Sequence, residues 1–438
     1  MSQLKHPSLA ALMLVSLLAG CHKDRKPDFG HQLGPGEKAL RKISPEEYPD
    51  FSRCMWNFAK LPAAVDNSLW YMAHASSRRF YPYVDKDPEK VNISYEQALA
   101  SLRAFRLLID EASKQPDPGQ YIDQQIRARF DVYKSIGAPK RDGPGFSDIV
   151  LFTGYCTPDR DASLTRSGPY QWPIYKRPDD LVTNRDTGET IGRQTPGGVV
   201  PYWKRAEIEG QNRLAGLELA YLKSRWEAYV VTVQGSARLR LPDGKIMKVG
   251  FAGHNGYSYT SPGRLMIDDG VMKVEDLNLR SLGAYFAAHP EAMDKYLWAN
   301  ERTVFFVEND GDPRGCLNVP VTQMATIATD KEVYPRAMPA FLIAPVPNPE
   351  KPNLQWEFHG FMMDQDAGGA IRAPGRSDIY MGIGDRAEEQ AGHQLAEGSL
   401  YYIAIKPENV GQYQTPLPAE KTRPFYEGKP AKVAGKTK

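Results

Sequence analysis

Apolar residues run from Leu9 to Leu18 after a basic start at Lys5 and His6, and the run exits through Ala19-Gly20-Cys21. That is too short to span a bilayer as a mature helix and has the layout of a secretion signal. Residues 22 to about 43 are polar and rich in Gly and Pro, the pattern of a tether. Between Pro45 and Tyr133 apolar positions recur mainly at helical spacing. The clearest helix begins at Ser94, with Gln97 three residues on as a capping box, and carries Leu99, Leu102, Phe105, Leu107, Leu108 and Ala112. Gly137, Pro139, Gly143 and Pro144 then break the pattern.

From Ser147 the period shortens to that of strands, beginning with Ile149 to Tyr155. A helix is expected from about Arg205 to Trp226, followed by a strand over Ala228 to Ala237 with a polar end. A helix from Pro290 to Trp298 leads into Thr303–Val307, and further strands are expected at Val319–Ala328, Phe341–Ala344, Gln355–Met363 and Leu400–Ile405. Many short strands with Gly/Pro turns predict a β-barrel or sandwich.

The 438 residues allow two or three domains. A net charge of +2, from 55 basic and 53 acidic residues, gives no reason to expect a polyanion such as nucleic acid as partner. Beyond Cys21 the cysteines are Cys54, Cys156 and Cys316; in an oxidising compartment any one pair could join, leaving one over. No CxxC, HxH or HExxH spacing occurs, so neither a metal site nor a cofactor is expected. Gly382-Ile383-Gly384-Asp385-Arg386-Ala387 fits the dinucleotide pattern GxGxxA without a surrounding βαβ unit, and reads as a loop.

The chemistry concentrates between Phe361 and Gly384. A strand carrying Asp364 and Asp366 runs into Gly368-Gly369, and a second apolar run is opened by Asp378. Asp330 stands at the end of a third strand. Asp366 to Ile371 (DxGGAI) and Asp378-Ile379-Tyr380-Met381-Gly382 resemble the diagnostic runs of the MltA family of membrane-bound lytic murein transglycosylases. Other runs extend the resemblance over roughly residues 148 to 406: Thr153-Gly154-Tyr155 with Thr157-Pro158, Gln234-Gly235-Ser236, and Gly253 with Asn255-Gly256 and Tyr259. Cys156 replaces a usual aromatic and Ala237 a usual glycine, departures that bear on rate and glycan-length preference more than on reaction type.

The resemblance implies a mainly β chain with a helical N-terminal region, a double-psi β-barrel catalytic domain and an inserted second β domain. Mapped on the sequence this gives 1–21 as signal and lipidation cysteine, 22–145 as tether and helical part, 146–305 as insert, 306–410 as catalytic barrel and 411–438 as a basic flexible tail. By the same resemblance Asp378 is the catalytic acid, with Asp366 and Asp330 in support. Thr153, Tyr155, Gln234, Gly235, Ser236, Asn255, Gly256, Tyr259, Gly368 and Gly369 are implied to line the substrate groove. Amides and hydroxyls on such loops can hydrogen-bond sugar hydroxyls, and aromatic faces, Trp172 and Tyr257 included, can lie against pyranose rings.

The implied reaction is non-hydrolytic cleavage of the β-1,4 bond between N-acetylmuramic acid and N-acetylglucosamine in peptidoglycan glycan strands, leaving 1,6-anhydromuramyl ends. One aspartate acting as acid and then base needs a pKa raised by burial or by a neighbouring carboxylate, for which Asp366 is the candidate. The alternatives are a hydrolase, in which Asp366 or Asp364 activates water, and a non-catalytic wall-binding lipoprotein. Cys21 reads as a lipidation site, and His22 after it points to the periplasmic face of the outer membrane, where wall-synthesis complexes are further candidate partners.

Overall fold

The computed structural model describes residues 27–184, 189–273 and 276–421. The signal segment, Cys21 and the basic tail beyond Lys421 lie outside the described residues.

Six strands close into a barrel: β1 (Val150–Thr157), β2 (Thr326–Ala328), β3 (Pro339–Pro347), β4 (Gln355–Asp366), β5 (Arg376–Ile383) and β6 (Leu395–Ile405). Their order is β6-β3-β4-β2-β5-β1, and β1 pairs back onto β6. The β2–β4 and β5–β1 pairs are parallel and the others antiparallel. Closure leaves the ring without a free edge. Phe130–Ser135 extends the sheet outward from β6, and Leu40–Lys42 pairs with it in turn.

Helices Leu61–Ala73 and Tyr95–Ala112 pack on this barrel and share one apolar core with it. Ser94 caps the second by accepting the Gln97 N–H at 3.0 Å. The Gln97 side chain does not complete the capping box; it donates to the Ile405 carbonyl at 2.8 Å and so pins the helix to β6. Asn57, in the preceding 3-10 segment, donates to the Met324 and Phe361 carbonyls at 2.7 and 2.6 Å.

The second β domain is inserted between β1 and β2. Its main sheet runs in the order Val304–Glu308, Ile246–His254, Ser236–Arg240, Asp159–Ser163, Glu218–Leu222, Trp172–Tyr175. β1, which the sequence groups with the insert from residue 146, hydrogen-bonds inside the barrel, while Val304–Glu308 belongs to the inserted sheet.

Two expected elements change type. The expected long helix from Arg205 is only Arg205–Gly210, with a strand at Glu218–Leu222, and the expected strand over Ala228–Ala237 is mostly the helix Arg225–Gln234. Its β-branched run is overruled by its ends. Ser224 accepts the Glu227 N–H at 3.1 Å with Glu227 answering to the Ser224 N–H, and Gly235 closes the helix at φ +75°. Likewise Gly384 opens the helix Asp385–His393 directly off β5, where a loop is expected. Cys54, Cys156 and Cys316 form no disulfide. Among the described residues no helix is long and apolar enough to cross a membrane.

Candidate active site

A groove of about 1690 Å³ runs between the barrel and the inserted domain. On the barrel side four adjacent strands each place one residue at the same level: Thr153 on β1, Asp378 on β5, Ala328 on β2 and Asp366 on β4. In-register neighbours present their side chains on one face. Ala328 thus stands between two carboxylates whose strands lie roughly 10 Å apart, twice the inter-strand spacing.

The two aspartates differ in their partners. The Thr153 hydroxyl donates to Asp378 Oδ1, and Arg376 Nε lies 3.6 Å from the same oxygen. Arg376 also donates to Thr153 Oγ1 at 3.3 Å, so the three side chains form one cluster. Asp366 instead accepts from the Tyr155 hydroxyl and from the Cys316 and Ala367 amides, each at 2.8 Å. Burial pushes its pKa up, against the pull of those three donors. No hydrogen bond joins Asp366 to Asp378, so the coupled pair anticipated from sequence is not formed; the strand between them holds them apart.

Asp330 stands just past β2, only 6% exposed, and accepts the Glu332 N–H at 3.1 Å. Burial raises its pKa, partly offset by that amide and by the Arg372 charge. Asp364 is fully buried and receives Lys331, Thr329 and the Tyr402 hydroxyl. It does not line the groove, which removes it from the residues that could activate a water there.

The inserted domain supplies the opposite wall. Gln234, Gly235, Ser236 and Tyr259 line it, as do Gly368 and Gly369 from the barrel. The Gln234 side-chain Oε1 accepts the Cys156 N–H at 3.0 Å, and the Ser236 hydroxyl is 3.0 Å from that of Thr157. These two residues therefore also fasten the insert to β1. Asn255 and Gly256 are not brought to the groove. Asn255 is 2% exposed, donates to the Trp203 and Glu301 carbonyls at 2.9 and 2.8 Å and accepts the Thr303 N–H at 2.9 Å. It is a cross-brace between loops, and Gly256 is the turn beside it. Trp172 and Tyr257 also lie off the groove, the Tyr257 hydroxyl donating to the Tyr202 carbonyl at 3.0 Å.

With this geometry in view, comparison with known proteins is decisive. Residues 151–307 match the model of the MltA specific insert domain, and residues 325–404 that of the 3D domain. Membrane-bound lytic murein transglycosylase A of Escherichia coli strain K12 is 33% identical over 278 residues, 62% of this chain and 70% of that protein. The chain belongs to the MltA family. The Vibrio cholerae MltA relative is 26% identical over 289 residues, 65% of this chain and 73% of that protein. Two solved structures share the fold. The membrane-bound lytic murein transglycosylase of Agrobacterium tumefaciens aligns with a TM-score of 0.68 at 24% identity, over 86% of this chain and 100% of that one. E. coli MltA with bound chitohexaose aligns with a TM-score of 0.63 at 23% identity, over 87% and 100%.

Reading this MltA chain from sequence missed several groove residues: Phe251, 52% exposed, and the polar set His254, Arg302 and Arg372. Phe251 was legible in principle, as an outward position in an alternating strand. The other three have no common spacing; only the fold gathers them.

Proposed function

We propose that the chain is a peptidoglycan lytic transglycosylase with Asp378 as its single acid and base. The observation that carries this is the placement of Asp378 on the groove floor, in contact with Thr153 and Arg376, while Asp366 is held by Tyr155 and two amides and Asp364 is paired with Lys331 away from the groove. The family relationship supports the reaction class. In the reaction, protonated Asp378 gives its proton to the β-1,4 glycosidic oxygen as the bond from that oxygen to the muramyl C1 breaks. The C6 hydroxyl oxygen of the same muramyl residue bonds to C1, closing the 1,6-anhydro ring, and its proton passes to the Asp378 carboxylate. Each proton lost is regained, so one residue suffices where hydrolases ordinarily need two carboxylates. A sugar covering Asp378 excludes the water that would otherwise compete for C1.

Asp366 and Asp330 act in this reading as supports: Asp366 fixes Tyr155 and the Cys316 and Ala367 amides around the site, and Asp330 the turn after β2. The chain is held at a membrane by lipid on Cys21, a proposal supported by the membrane-bound relatives. It places the enzyme on the periplasmic face of the outer membrane, beside wall-synthesis complexes. Labelling with a radioactive fatty acid should mark the wild type and leave Cys21→Ser unmarked.

The test of the chemistry is mass spectrometry of fragments released from purified peptidoglycan by the form lacking residues 1–21. Wild type should release 1,6-anhydromuramyl ends and Asp378→Asn none. Hydrated reducing ends would replace this reading by hydrolysis with Asp366 as first suspect. Equal release by both proteins would remove Asp378 as the acid.

A further inference from the structure

We propose that Arg302 and Arg372 form a carboxylate-binding subsite in the groove, which takes an acidic group carried by the glycan strand. The proposal rests on the glycan-cleaving reading and specifies its substrate. Arg302 comes from the inserted domain and lies on the barrel loop: a Cβ at Gly369 would stand 2.9 Å from Arg302 Nε. A side chain at 369 would displace the guanidinium, so the glycine is what lets a cation from one domain reach the other.

The partners of Arg302 are uncharged. It donates from Nη1 to His254 Nδ1 at 3.1 Å and to the Tyr257 carbonyl at 3.0 Å. His254 Nδ1 also accepts the Gly256 N–H at 2.9 Å. A nitrogen that accepts from two donors carries no proton, which leaves the ring neutral with its hydrogen on Nε2, facing Glu189 at 3.5 Å. Burial lowers the His254 pKa, in agreement. Arg372, exposed on the barrel loop after Ile371, makes no hydrogen bond or ion pair among the described residues. Burial and the Arg372 charge lower the Arg302 pKa to about 10.

Glu189 lies within the field of both Arg302 and Arg372, and Asp330 within that of Arg372, but among the described residues neither carboxylate makes a hydrogen bond or ion pair with either guanidinium. Two like charges, one of them largely desolvated, are unfavourable together unless an anion joins them. A planar guanidinium takes a carboxylate with two parallel hydrogen bonds. Along a peptidoglycan strand that carboxylate has two sources: the lactyl group of a peptide-free muramyl residue, or the stem peptide of a substituted one. An oligomer of N-acetylglucosamine has neither.

Calorimetric titration in the Asp378→Asn background, where strands are not consumed, separates these with three probes: chitohexaose, peptide-free glycan strands and stem-bearing strands. Arg372→Gln should weaken binding of a carboxylate-bearing probe by about tenfold and change chitohexaose by less than about twofold. Its side chain is exposed and makes no hydrogen bond or ion pair among the described residues, so folding is not at risk. Loss on peptide-free strands assigns the lactyl carboxylate, loss on stem-bearing strands the peptide, and loss on both a site that accepts either. Equal weakening of chitohexaose, or no weakening of any probe, overturns the subsite. Binding is the readout, so absence of anhydro products would count against the reaction alone.

Discussion

The barrel and the inserted domain are built on different scales of cooperativity. The barrel and its N-terminal helices bury one continuous core, in which Phe361 sits against Phe51, Phe105 and Phe341 at ring separations of 5.8, 4.8 and 4.8 Å. The insert divides its described apolar residues among three smaller cores, one of them centred on Phe286 with Trp226 and Tyr296 at 5.3 and 6.4 Å. A single large core transmits strain and fixes positions; separate small ones open locally at lower free energy. The aspartates stand on the first kind of scaffold, and the wall that faces the sugar on the second. The carboxylates of the groove are placed where geometry is stiffest.

The largest expected effect is on the stiff side. Asp378→Asn should lose about 10³-fold or more in turnover, as removal of a general acid does, with an unchanged thermal midpoint; glycan turnover and calorimetry measure the two. Next, Asp364→Ala should destabilise the barrel by about 3–5 kcal/mol, because it strands Lys331 in a buried site. Denaturant titration reads this, and a loss under about 1 kcal/mol would mean that the buried pair does not hold the turn carrying Asp330.

The paired substitutions Phe361→Ala and Phe286→Ala should each cost about 3–5 kcal/mol where they act, yet spread differently. Hydrogen exchange should rise throughout the barrel and helices for the first, and only around residues 226–297 for the second. Equal spread would erase the contrast. The smallest effect concerns Asp330. Its folded pKa lies above the ordinary 3.8, so the folded state binds more protons than the unfolded chain in the window just above that value, and stability falls as pH rises through it. Asp330→Asn removes this slope: its thermal midpoint should exceed wild type at neutral pH, the gain vanishing near pH 4.

Asp366 and Asp378 lie in contiguous motifs, and the register that sets them at one level follows from strand ends that the sequence marks with Asp and Gly; Asp330 stands just past β2, outside that register. The segment 225–234 was misread because Val230-Val231-Thr232-Val233 favours strands, while the decisive signals sit at its ends in Ser224, Glu227 and Gly235. Asn255 was misassigned for another reason. A polar residue beside a groove and a polar residue bracing the loop behind it have the same local sequence; only burial and its three partners tell them apart. Arg302, Arg372 and His254 illustrate the remaining limit, since their meeting depends on how two domains close on each other.

The fastening of Gln234 to the Cys156 amide and of Ser236 to Thr157 has a mechanical consequence. Both bonds grip the last two residues of β1, where the chain first crosses into the insert. A rotation of the insert would therefore turn about an axle set near that crossing. Displacement grows with distance from an axle, so the far mouth of the cleft could widen to admit a thick strand while the spacing around Thr153 and Asp378 barely changed. Such a clamp would vary its aperture without losing aim.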